Sequence, residues 1–106
     1  MIVNDEIQEM TRRFVEALHP QKVILFGSYA KELYTTTSDY DFYIILPDGE
    51  YDLVDFTRRA YKSLRDMKSR LPVDILINTV SGFNRRCLMP TMEREAFREG
   101  IVLYGA

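Results

Sequence analysis

Cysteine and histidine are nearly absent from this sequence: Cys87 and His19 are the only ones in 106 residues. One thiol excludes an internal disulfide, and one imidazole with one thiolate falls short of the usual zinc sites. The expected setting is therefore a reducing one, the cytoplasm. No apolar run reaches the roughly 18 residues of a membrane span; the longest lies around Ile44, Ile45 and Leu46, so no membrane partner is expected. Met1 to Leu18 is acidic and helix-patterned, unlike a signal peptide. An excess of one charge is also missing. With 14 basic against 16 acidic side chains and a net charge of −2, nothing drives the chain globally toward nucleic acid. Repeats, low-complexity tracts and linkers are absent, and the near-balanced charge and 12% aromatic content argue against disorder. Residues 1–106 are accordingly expected to form a single domain whose chemistry rests on carboxylates and hydroxyls.

Apolar spacing gives the coarse architecture. Asn4 or Asp5 can cap a helix whose buried stripe is Ile7, Met10, Phe14, Val15 and Leu18, ended by His19-Pro20. Lys22–Phe26 reads as a buried strand, Ser28–Leu33 as a brief helical turn, and residues 34–38 as a polar loop. Asp39–Leu46 is strand-like and Pro47-Asp48-Gly49 is a turn. Tyr51–Leu71 carries Leu53, Phe56, Ala60, Leu64, Met67 and Leu71 at helical spacing, ended by Pro72. Val73–Ile77 is a third strand. Ser81 can cap a helix through Leu88, and Thr91–Arg98 is a last helix before an apolar tail, Ile101–Tyr104. The fold class expected is α/β (α+β): a small mixed sheet flanked by helices.

Three aspartates interrupt this pattern. Asp39 and Asp41 lie two apart at the start of a strand and project from one face. Asp74 sits inside an otherwise apolar strand, where aspartate has poor propensity. Two carboxylates ~5 Å apart at an effective dielectric of ~20 repel by roughly 3 kcal/mol. Convergence of the three therefore calls for a hard cation such as Mg²⁺. The alternative is a solvated sheet edge, with Asp74 paired to a basic side chain. Gly27-Ser28, where a strand turns into a helical segment, offers free backbone N–H groups and a hydroxyl to an anion. An EF-hand counted from Asp39 fails, because Ile44 stands where Gly is needed, and the Gly-Lys-Ser/Thr of a Walker loop is missing after Gly27.

Gly27-Ser28, ten residues, then Asp39-Tyr40-Asp41, with Asp74 on a later strand, resembles the nucleotidyltransferases of the DNA polymerase β superfamily. Within it, the chain is similar to the small MNT-type (minimal nucleotidyltransferase) domains. The likeness runs from Val23 to Ile77, and Arg98–Tyr104 is similar to their closing segment. It implies the polymerase β-like fold, with Asp39 and Asp41 binding two Mg²⁺ ions and Asp74 binding one of them while orienting or deprotonating the acceptor hydroxyl. Gly27 and Ser28 would hold the β- and γ-phosphates of ATP, and Lys31 could neutralise phosphate charge or be a plain surface lysine. The pattern departs at Glu32, where many members carry a glycine; a turn with positive φ is poorly tolerated by Glu32, which puts the local loop path in question.

Larger relatives carry a helical substrate domain for which 106 residues have no room, so a partner chain should present the acceptor. MNT domains are commonly paired with HEPN toxins, and some transfer AMP from ATP to a toxin tyrosine. The resemblance therefore implies the antitoxin of such a pair, in a homo- or hetero-oligomer. A non-catalytic binding module of the same fold, or a transferase acting on a small molecule, are the alternatives. Arg58, Arg59, Lys62, Arg65, Lys68 and Arg70 put six of 14 basic residues within 13 positions, partly as a solvated face with expected pairs Asp55–Arg59 and Asp66–Arg70. Residues near Cys87, Leu88, Met89 and Met92 either pack as a C-terminal core or form a contact surface. Cys87 and His19 are given no site role.

Overall fold

The computed structural model describes residues 3–32 and 38–105. Helix α1 is Asp5–Leu18, and Asn4 caps it by accepting from the Ile7 N–H at 2.8 Å. Ile7, Met10, Thr11, Phe14 and Leu18 form its buried stripe. His19 leaves the helix in the left-handed region (φ 49°) immediately before Pro20, where a further helical residue is disfavoured. Strand β1 (Lys22–Phe26), the single turn α2 (Gly27–Ala30) and strand β2 (Tyr40–Leu46) follow. The loop expected over residues 34–38 lies outside the described residues except for Ser38, as does the end of the expected turn at Leu33.

Helix α3 is Leu53–Ser63, shorter than the stripe to Leu71 predicts. Arg13 of α1 explains the early end. Its guanidinium donates to the Ser63 carbonyl at 3.1 Å and pairs with Asp66, while Leu64 and Arg65 tighten the last turn with bonds back to Tyr61 and Lys62. The stripe itself holds, because Leu64, Met67 and Leu71 still pack on the core. The expected helical ion pairs are replaced by others: Asp55 binds Arg58, Asp66 binds Arg13, Arg70 approaches Glu6, and Arg59 stacks on Phe56.

Strand β3 runs Val73–Thr79, two residues further than expected, and α4 is Val80–Arg86. Thr79, not Ser81, caps α4; Ser81 is held by Asp48, which accepts from its N–H and its hydroxyl at 2.8 and 2.6 Å. Helix α5 is Met92–Glu99, capped by Thr91. The apolar tail is a strand, β4 (Ile101–Tyr104).

The four strands form one mixed sheet in the order β3-β2-β1-β4. β1 pairs antiparallel with β2 and β4, and β2 pairs parallel with β3. Helices α1 and α3 cover one face, where Phe14, Leu25, Phe42, Ile44, Leu64 and Ile75 make the larger core. On the other face Ile24, Phe26, Tyr43 and Ile45 pack with Phe83 of α4 and Ala96 of α5. Central strand β2 is covered on both sides, which is why it reads as a nearly unbroken apolar run. Among the described residues no helix is long and apolar enough to cross a membrane.

Candidate active site

The ladder brings the aspartates together. Asp41 is directly paired with Asp74 across the parallel β2–β3 contact, and with Phe26, the last residue of β1, on its other side. Strand alternation then decides direction. Tyr40 points into the larger core, fully buried, donating to Glu6 at 2.8 Å and accepting from Asn4 at 3.2 Å. Anchored that way, it leaves Asp39 and Asp41 to project from the opposite face. Asp39, Asp41 and Asp74 each offer a carboxylate oxygen, all within 4.8 Å of one another.

Burial, reinforced by the charges of Asp74, Asp39 and Glu95, lifts the Asp41 carboxyl from 3.8 to about 6. The groups acting on it are thus all acidic, and the donor set is three hard oxygens. That chemistry fits a divalent cation of the Mg²⁺ type, which would offset both the burial and the neighbouring charges that raise Asp41. Gly27 closes the other side. Its φ is +80°, and a Cβ there would lie 2.2 Å from the Asp41 Oδ2. The bare backbone therefore comes against the carboxylate in a conformation that side chains rarely adopt. Phe26, Leu76, Met92 and Glu95 complete a cleft of about 220 Å³ around Gly27, Asp41 and Asp74.

The remaining expected residues sit at the rim. Ser28 is exposed, its hydroxyl 3.3 Å from that of Ser38. Lys31 is neither a free surface lysine nor turned to the cleft alone: its ammonium binds Glu95 at 2.5 Å and Glu99 at 2.7 Å. Those two carboxylates hold its pKa above the ordinary value. Glu32 takes φ +60°, so the turn that suits glycine is kept despite the side chain. Leu88, Met89 and Met92 are exposed rather than packed as a core, as is Phe97.

Two contributors went unforeseen. Glu95 and Glu99 lie four apart on α5, a like-charge spacing that is unfavourable alone and signals a cation between them. Tyr61 of α3 reaches around the edge of β3: its hydroxyl accepts from the Ile75 N–H at 3.0 Å and lies 3.4 Å from Asp74 Oδ1. No periodicity in the sequence marks Tyr61, because its role depends on where β3 falls.

Comparison with known proteins agrees with this geometry. A Methanocaldococcus jannaschii chain, MJ0604, named as a candidate protein adenylyltransferase, is 29% identical over 104 residues, covering 92% of this chain and 97% of that one. The crystal structure of a nucleotidyltransferase-type protein of Sulfolobus solfataricus superposes with a TM-score of 0.63 at 16% identity, covering 92% of this chain and 76% of the other. A chain in a toxin–antitoxin structure with AMP-PNP superposes with a TM-score of 0.57 at 15% identity, covering 93% and 73%. At those identities the two structures speak for the fold. The nucleotidyltransferase domain family matches residues 7–103, nearly the whole length, and on that match the chain belongs to this family and is an enzyme of the nucleotidyltransferase kind.

Proposed function

We propose that this chain acts as one domain that moves AMP from ATP to a tyrosine hydroxyl of a partner protein, as the cytoplasmic antitoxin of a HEPN-type toxin. The observation that carries the reading is the convergence of Asp39, Asp41 and Asp74 beside the bare backbone of Gly27. The name of the similar Methanocaldococcus jannaschii chain supports a protein acceptor, and the toxin–antitoxin structures of like fold, one of them MntA-HpeT, support a toxin as the partner.

In this reading Asp39 and Asp41 would hold two Mg²⁺ ions, and Asp74 would share one of them. Held there, Mg²⁺ would supply charge neutralisation for an in-line displacement at the α-phosphorus. The chain's own part is positioning and proton transfer. Asp74 orients the acceptor hydroxyl and takes its proton. Gly27 and Ser28 hold the β- and γ-phosphates that leave as pyrophosphate. Lys31 reaches phosphate only by exchanging Glu95 and Glu99 for it, so it serves late or not at all. The partner covers the mouth of the cleft: Met92 lines it, and Leu88, Met89 and Phe97 on the same C-terminal segment are exposed, at 79%, 54% and 72%.

The test is incubation with ATP labelled in its α-phosphate, Mg²⁺ and the product of the adjoining gene. Label on a partner tyrosine, lost in Asp74→Asn, is expected. Tight binding to that partner with no label transferred would overturn the catalytic reading.

A further inference from the structure

Among the described residues, one tyrosine hydroxyl comes to the three carboxylates from within the chain itself, that of Tyr61. The Tyr61 hydroxyl lies 3.4 Å from Oδ1 of Asp74, the residue assigned above to receive the acceptor's proton. Two further observations make this more than a chance contact. The Tyr61 hydroxyl is fixed in place by the Ile75 N–H at 3.0 Å, so its oxygen is aimed at the edge where Asp74 sits. Tyr61 stays 42% exposed, which leaves it open to a nucleotide from solvent.

The other described tyrosines lack one property or another. Tyr29, Tyr40 and Tyr43 are buried, and the hydroxyls of Tyr40 and Tyr43 donate to Glu6 and Glu93. Tyr51 stacks edge-on against Phe56. Tyr104 is as exposed as Tyr61, at 41%, but stands on β4, at the opposite edge of the sheet.

We propose that Tyr61 is an acceptor in cis: supplied with ATP and Mg²⁺ and no partner, the chain adenylylates its own Tyr61. The inference rests on the transferase reading above. The phenolic oxygen of Tyr61 forms a bond to the α-phosphorus of ATP. The bond from that phosphorus to the oxygen bridging the β-phosphorus breaks, and pyrophosphate leaves with the electron pair. The phenolic proton passes to Asp74 Oδ1 and on to water. Acceptor and base share one chain at near hydrogen-bond distance, so the step is first order in the protein–nucleotide complex and owes its rate to proximity.

The experiment uses the full chain alone with Mg²⁺ and ATP labelled in its α-phosphate, read by intact mass and by peptide mapping. A gain of one AMP at Tyr61, about tenfold or more above Tyr104 and lost in Asp74→Asn, is expected. The rate per chain should not change when the protein is diluted. A second readout involves no turnover: with Mg²⁺ and a nucleotide whose α,β-bridge cannot be cleaved, Tyr61 should be protected from nitration while Tyr104 is not. No label on Tyr61 in the chain alone, with label on the partner once the partner is added, would overturn the inference and leave the transferase reading standing. Label on neither would overturn both. Label mainly on Tyr104, or a rate per chain that falls on dilution, would overturn the cis geometry.

Discussion

Asp41 should be a residue whose loss makes the metal-free protein more stable. Its carboxyl is lifted from 3.8 to about 6 by burial and by Asp74, Asp39 and Glu95. Such a rise corresponds to about 3 kcal/mol of unfavourable free energy for holding the charge in the folded state. Asp41 is only part-buried, so solvent screening reduces this to about 1–2 kcal/mol. Asn has nearly the same shape and no charge, and its amide can donate to the neighbouring carboxylates. With the folded pKa above the unfolded one, the folded state binds the extra proton between pH ~4 and ~6. The penalty is therefore complete above about pH 6 and absent below about pH 4. Urea unfolding in the presence of a chelator should show Asp41→Asn about 1–2 kcal/mol more stable than the parent at pH 8, with the difference vanishing at pH 4. Added Mg²⁺ should reverse the order, because only the parent gains about 2.7 kcal/mol at a hundredfold excess over its dissociation constant. A variant that is no more stable at pH 8, or equally favoured at pH 4, would refute the electrostatic account of the site.

Gly27→Ala should lose transfer and about 1–2 kcal/mol of stability, measured by urea unfolding, since its φ of +80° disfavours a side chain and the added Cβ meets Asp41 at 2.2 Å. Glu32→Gly should leave stability unchanged or raise it by up to about 1 kcal/mol, because relief at φ +60° is partly offset by the greater freedom of glycine in the unfolded chain. Tyr43→Phe should destabilise by about 1–3 kcal/mol in the same assay. It removes the donor that, with Arg86, satisfies the buried Glu93, whose other oxygen already lacks a hydrogen-bond partner among the described residues.

Much of this was legible in the residues, and the parts that were not share a cause. The ends of α1 and β1 follow from local signals: an Asn cap, a proline, and a glycine after an apolar run. The three aspartates declared themselves because they violate strand propensity. The apolar stripe runs past the end of α3 because that end is set by Arg13, 50 residues away in sequence from the Ser63 carbonyl it holds. β4 looked like a mere tail because four residues carry little periodicity, and its identity comes from pairing with β1. Tyr61 and the Glu95–Lys31–Glu99 bridge were hidden for the same reason. Each is a contact between elements rather than a property of one. Glu32 shows the reverse case: a rule of local geometry correctly marked the turn, and the fold keeps the disfavoured conformation anyway.

The parallel pairing of β2 with β3 has a kinetic meaning. Asp41 and Asp74 occupy a single rung of that ladder although 32 residues, including all of α3, separate them along the chain. Such a rung closes only after a long loop has been drawn in, so it belongs to the slow, late part of folding. A nascent or partly unfolded chain thus carries the aspartates without the constellation they make. Competence for chemistry then waits on that long-range closure rather than on any local element.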